Sequence, residues 1–262
     1  MSRGRWVRRA ASELGPPLAG IAGVLAVWAV VATLVDSPSV PSPGAVWTAL
    51  VDGVRDGTIT EAALNTLIRL AFSFVVAVVI GAALGVLLAL NGFARRAIRP
   101  LVVALQITPF VAWVPLAVVW FGATERAVVF VAIVGSFPAM TLATLQAIRQ
   151  VPPLYERAGR TLGAEGWTLY RDIVVPAALP GMMAGLQQAW GFAWKALMAG
   201  ELIVVTAKAT GLGHLLGEPG ATVPTLLAAL AVIVVIGVAV DYLLFGQLDR
   251  RIRRRRGLLV EA

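Results

Sequence analysis

A chain of 262 residues that is 59% hydrophobic and 14% charged, with a mean hydropathy of +0.84, carries more apolar surface than a soluble fold of this length can bury. The absence of cysteine excludes disulfides, thiolate ligands and thiol redox chemistry, and a lone histidine, His214, excludes the usual His/Cys metal centres. The net charge of +8 does not gather into one nucleic-acid patch, because the arginines stand in short clusters beside apolar runs, as at the flanks of membrane spans.

The apolar runs approach the roughly 20 residues that cross a hydrocarbon core and do not alternate as barrel strands do. They predict an all-α, polytopic membrane protein with six transmembrane helices, about 18–35, 64–90, 100–121, 127–148, 177–205 and 223–245, in one domain over 1–262. The first span follows a basic tail (Arg3, Arg5, Arg8, Arg9) but is longer than a signal-peptide core and lacks a small-x-small cleavage site, so it is expected to stay. After it, prolines in "SPSVPSPGAVWTALVDG" (37–53) stop the helix. Val46, Ala49, Leu50 and Val54 then recur near helical spacing, giving either a short interfacial helix with Trp47 or a solvated connector. In span two, Arg69 is expected to reach the headgroups, and Gly81/Gly85 form a G-x-x-x-G that packs within the chain or against a second copy.

The segment between spans four and five, about 149–176, turns polar and reads as two short helices. Leu154, Ala158 and Leu162 fall on one stripe, Glu156 and Arg160 make an i,i+4 pair, and Gly163 can take the left-handed conformation that ends a helix. Trp167, Tyr170 and Val174 follow on one side of the second helix, and Pro176 and Pro180 bracket the entry to span five. The stripe must bury against the protein's own helices or against a soluble partner.

Ionisable groups inside spans default to functional candidates. Lys195 and Glu201, six residues apart on span five, lie about 240° apart around a helix and so on different faces. Lys195 either faces a pore, where it attracts an anion, or snorkels to the interface. Gln106, Gln187 and Gln188 are path candidates or interhelical hydrogen-bonding groups. Asp241 is expected near the inner end of span six, His214 exposed in an outer loop, and the "RRIRRRRG" tail on anionic lipid.

Cations cluster in the N-terminal tail, after span two (Arg95, Arg96, Arg99), after span four (Arg149, Arg157, Arg160, Arg171) and in the C-terminal tail. The alternate loops hold Arg55, Arg126 and Lys208, so both termini are expected in the cytoplasm. An intramembrane protease lacks its residues: Asp241 has no second aspartate, and Ser73 and Ser136 have no histidine at depth. A gradient-driven secondary transporter would need buried ion sites and usually repeated halves, and it leaves the folded loop unexplained.

The loop resembles the "EAA" loop of bacterial ATP-binding-cassette importer permeases, whose pattern is E-A-A, three residues, G, nine residues, I-x-L-P. Nine residues separate Gly163 from Ile173, and Pro176 comes three after Ile173. "RTLGAEGWTLYRDIVVPAALPGMMAGLQQAWGFAWKALMAGEL", "PSPGAVWTAL", "NTLIRL", "PFVAWVPLAVVWFG" and "GLGHLL" are similar to the nitrate/sulfonate/taurine branch, so the resemblance runs from about 35 to 250. Arg157 stands where the family has Glu, with Glu156 one residue early; Gly159 replaces the second Ala, and Val175 the Leu.

The resemblance implies a type I importer permease of the bacterial cytoplasmic (inner) membrane, in which two copies pair. A cytoplasmic ATPase binds each copy's loop, and an extracytoplasmic binding protein delivers the solute: nitrate, a sulfonate, taurine or similar. Leu154, Glu156, Arg157, Ala158, Arg160, Leu162 and Gly163 would then couple to the ATPase, and Lys195, Glu201, Gln106 and Gln187 would line the path. Neither Lys195 nor Lys208 follows a glycine, so a phosphate loop of the G-x-x-x-x-G-K-[ST] kind is absent. No cofactor is expected on this chain, and ATP belongs to the partner.

Overall fold

The computed structural model describes residues 3–35, 37–204 and 210–248, and the side chains among them other than 3–14, 17 and 18. Lys208, the end of the expected fifth span at Val205 and the "RRIRRRRG" tail lie outside the described residues.

Regular structure among the described residues is helical throughout. Helix α1 is Arg3–Val35, and α2, Pro43–Arg55, begins with Ser42 as N-cap and Pro43 in its first turn. Trp47 stays exposed on α2 while Val46 is buried with Ile59 and Ala228, so the segment after span one is a helix docked on the bundle. Then come α3 (Thr58–Leu90), α4 (Gly92–Ile107), α5 (Trp113–Phe121) and α6 (Glu125–Arg149). The polar loop holds α7 (Pro153–Thr161) and α8 (Gly166–Leu169), and a π-turn over Tyr170–Val174 leads into α9 (Val175–Ile203). A short α10 (Leu212–Gly217) precedes α11 (Val223–Val240), which runs on through a second π-turn to Leu248.

Among the described residues three helices are long and apolar enough to cross a bilayer alone: α3, α6 and α11 with its continuation. The expected third span is a bent pair, α4 and Phe110–Phe121, at 94° to each other. The bend sits at Thr108–Pro109: proline removes a helical donor and drives the preceding residue extended, as the ψ of 125° at Thr108 shows. The other two expected spans are the apolar Ala19–Val35 part of α1, which is shorter, and α9, diluted by Gln187, Gln188, Lys195 and Glu201.

Helix α6 is the centre, packed against α3 on one side and α9 on the other. The buried face of α3 is mostly small or polar (Ala62, Thr66, Arg69, Ser73, Ala77, Gly81, Gly85, with Ile59, Leu70 and Leu88), whereas Ile68, Phe72, Val75 and Val79 face outward. That inversion of a soluble helix is expected when the solvent is lipid and helices gain by close approach. A Cβ on Gly81 would lie 2.7 Å from Met140 Cβ, and one on Gly85 2.6 Å from Thr144 Cβ. The G-x-x-x-G is therefore used inside the chain, against α6. Gly185 of α9 is pressed on Ala143 from the other side.

Candidate functional site

Two constructions occupy opposite ends of the α6–α9 pair. The first is the polar loop. Pro153 starts α7 and Gly163 (φ +84°) stops it. Gly163 N–H donates to the Arg160 carbonyl and Ala164 N–H to the Gly159 carbonyl, the double bond of a Schellman end. Leu169 and Val174 anchor the loop in a cluster with Ala147, Ile148, Val151 and Ala178, at the end of α6 and the start of α9. Gly159 is buried against Leu169 and Ile173, and a Cβ there would lie 2.7 Å from Leu169 Cδ1. A glycine at 159 thus permits a close seat for α7.

With that face spent on the chain itself, the stripe points outward. Leu154 is 72% exposed and Leu162 86%, with Ala158 exposed between them. Trp167 is also exposed while Val174 is fully buried, so the expected common side of Trp167, Tyr170 and Val174 is split between solvent and core. Arg157 and Arg160 are exposed and Glu156 is half-buried. Among the described residues the ion pairs are Arg69–Glu125, Arg69–Glu201 and Arg171–Asp172, so the expected Glu156–Arg160 pair is not made.

The second construction is a clasp at the far end of α9. Glu201 is completely buried. It accepts from Arg69 Nη1 at 2.9 Å, from the Thr66 hydroxyl at 2.9 Å and from Gly213 N–H at 3.0 Å. Arg69 Nη1 also donates to the Thr210 carbonyl, and its Nη2 to Glu125, each at 2.9 Å. Thr66 in turn accepts from Leu212 N–H. One arginine and one glutamate thereby tie α3, the start of α6, α9 and α10 together. The glycines of "GLGHLL" have a physical reason: a Cβ on Gly211 would meet Glu201 Oε2 at 2.6 Å, and one on Gly213 would meet Glu201 Cβ at 2.5 Å.

These contacts correct two expectations. Arg69 is buried in an ion pair instead of reaching the headgroups, because the buried carboxylate of Glu201 holds it. His214, expected exposed, is half-buried on α10. It borders a cavity of about 370 Å³ shared with Glu61, Glu201, Thr210 and Glu218. Burial pushes its pKa down from the ordinary 6.5, the Glu201 charge opposing this and Arg69 adding to it. The clasp itself escaped the reading of single spans. The available signal was an arginine and a glutamate of opposite sign in different spans, each too costly to leave alone in lipid.

The remaining path candidates are not brought together. Lys195 is exposed and has no ion-pair partner among the described residues, Gln106 is half-buried one residue before the end of α4, and Gln187 is half-buried on α9. Glu201 is sealed inside the clasp, so its oxygens face Arg69 and Thr66. Lys195 instead continues an outward stripe of α9 through Gly181, Ala184 and Gln188, all exposed and at helical spacing.

The model of the family "binding-protein-dependent transport system inner membrane component" matches residues 77–254. The chain is 29% identical over 225 residues to the taurine transport system permease protein TauC of Escherichia coli (strain K12), covering 82% of this chain and 81% of that one. It is 30% identical over 199 residues to the bicarbonate transport system permease protein CmpB of Synechococcus elongatus, covering 72% and 71%. Its fold is similar to a chain in an inward-facing structure of the MetNI methionine ABC transporter, with TM-score 0.65, 21% identity, and coverage of 74% of this chain and 96% of that chain.

Proposed function

The chain belongs to the family of binding-protein-dependent transport system inner membrane components, the permease subunits of ATP-binding-cassette importers, and from that premise we propose how it works. It supplies half of a six-spans-per-subunit path in the cytoplasmic membrane, pairs with a second copy, and is driven by an ATPase docked on α7. An extracytoplasmic binding protein hands it a small anion of the nitrate, sulfonate, taurine or bicarbonate kind, in keeping with the transport named for its relatives. The termini and α7 lie on the cytoplasmic side. In support, Arg95, Arg96 and Arg99 from after span two and Arg149 from after span four line one cavity, so both basic segments share a side.

The observation that carries the reading is the outward stripe of Leu154, Ala158 and Leu162 on a helix whose other face is fixed to α6 and α9. A rigid apolar ridge fits a groove on a soluble partner. Closure of ATP-bound partners would favour one of two tilts of the spans, which is differential stabilisation of two states. Arg69, Glu201 and Thr66 hold the far end together while α9 is moved. Lys195 and Gln188 lie on the face of α9 that α6 does not cover, and there a polar stripe suits a path between two copies.

Co-purification tests it. The tagged permease, expressed with its ATPase, is expected to elute with it. The Ala158→Asp variant, which puts a charge in the middle of the ridge, is expected to elute alone, at the volume of the wild-type permease expressed without its ATPase. An ATPase that never co-elutes, or that binds the variant equally well, overturns the docking of α7.

A further inference from the structure

At the end of the bundle that carries α7, a cavity of about 470 Å³ opens between α4 and α6. Arg95, Arg96, Arg99 and Arg149 line it, with Gln146 and Gln150 as neutral polar neighbours, and among the described residues none that lines it is acidic. Among the described residues none of the four arginines has a carboxylate partner. Arg95 alone is tied down: half-buried, its Nη1 donates to the carbonyls of Leu88 and Ala89 at the end of α3. Arg96, Arg99 and Arg149 are exposed, their guanidinium groups free of ion pairs.

The placement is electrostatically unfavourable as it stands. The first turn of α4 has no acidic residue, and three arginines follow within its first eight residues, at the helix end that prefers negative charge. Asn91 caps that end through its own side chain, accepting from Phe93 and Ala94 N–H, and so brings no charge. Guanidinium forks match the paired oxygens of a phosphate. Phe93 and Leu101 on α4 are exposed apolar residues flanking the arginines, which sets the cavity at the height where hydrocarbon gives way to headgroups.

We propose that this cavity is a binding site for a phosphate-type anion, carried by an anionic lipid headgroup or free in solution. The bound anion neutralises the arginines and bridges the start of α4 to the end of α6. Those are the two elements from which the bend at Thr108–Pro109 and the loop with α7 begin. The inference rests on the transport reading only for which leaflet supplies the lipid. Because binding is measured on the permease without its ATPase, its failure is separate from failure of α7 docking.

The test is native mass spectrometry of the purified full chain in detergent, titrated with phosphatidylglycerol or phosphatidylcholine, with and without inorganic phosphate. Phosphatidylglycerol is expected to bind on the order of a hundredfold more tightly than phosphatidylcholine, three exposed arginines being engaged. An Arg96→Gln/Arg99→Gln/Arg149→Gln variant is expected to bring the two lipids to parity. An Arg157→Gln/Arg160→Gln variant, equal in kind but on α7, is expected to keep the preference. Displacement of the lipid by phosphate assigns the site to phosphate in general; resistance assigns it to the headgroup. Equal binding of both lipids without a phosphate effect overturns the site, as does a triple variant that binds like wild type. If the triple variant does not elute as a folded protein, Arg149→Gln alone, at the exposed end of α6, is measured in its place, and unchanged affinity then overturns the proposal.

Discussion

At the scale of single residues the clasp dominates. Glu201 is fully buried and Arg69 nearly so. A buried pair is held together less by its net attraction than by the cost of breaking it. Arg69→Leu leaves a carboxylate in the bundle with only Thr66 and Gly213 to serve it, and is expected to cost about 3–5 kcal/mol. Arg69→Met/Glu201→Leu removes both charges and is expected to recover most of that loss. The thermal midpoints of the purified single and double variants check this, and a double variant no better than the single one counts against the pairing. His214, beside the clasp, carries a pH dependence. Its folded pKa is depressed by burial, so the folded state holds fewer protons than the unfolded one below the ordinary value of 6.5. The stability it contributes is full above pH 6.5 and is lost as the pH falls from there through the lowered value. Midpoints measured from pH 7.5 downward are expected to fall more steeply for wild type than for His214→Gln, and parallel curves would remove the assignment.

At the scale of elements, what the sequence disclosed depended on whether the cause was local. Gly163 was legible because a helix end needs a residue with positive φ, and its distance to Ile173 and Pro176 is a matter of counting. Gly159 was not, since its reason is the side chains of Leu169 and Ile173 across a turn. The break in the third span was written in Thr108–Pro109, yet hydropathy averages over a bend and returns one span. The fate of the α7 stripe needed the tertiary structure: Gly159 is buried and yet Leu162, only three residues on and so near the same face by spacing, is exposed with Leu154. On α9 the same reasoning separates two charged residues that the sequence grouped as path candidates. Glu201 falls on the covered face, Lys195 on the open one with Gln188. Lys195→Met is therefore expected to lower uptake of an anionic solute several-fold at unchanged protein level, whereas Lys195→Arg keeps most of it, since a lysine near a path acts as a point charge. Radiolabelled uptake into cells, scaled to membrane-protein abundance, decides it, and uptake by the Met variant equal to wild type excludes Lys195 from the path.

For the whole molecule, α6 and α9 form a common spine. One end of α9 starts in the loop cluster around Val174 and Ala178, and the other finishes in the clasp at Glu201. Its 29 residues span roughly 43 Å at 1.5 Å per residue. Small residues let α3 and α9 pack closely on α6, and close packing makes a helix pair move as a body. On the proposed docking of α7, a displacement of that helix would reach the clasp through packed helices. With α9 read as a span, its two ends are expected on opposite sides of a membrane, and labelling can test this directly because the chain has no cysteine of its own. Asp52→Cys on α2 and Glu218→Cys beside α10 replace exposed residues at the clasp end, and Arg157→Cys replaces an exposed residue on α7. In intact spheroplasts, a membrane-impermeant maleimide is expected to label the first two and to label Arg157→Cys only after permeabilisation. Labelling of Arg157→Cys from outside would invert the topology and detach α7 from any cytoplasmic ATPase. Labelling of Asp52→Cys and Glu218→Cys on opposite sides would require an odd number of crossings between α2 and α10, as when the bent pair of α4 and Phe110–Phe121 does not complete its span.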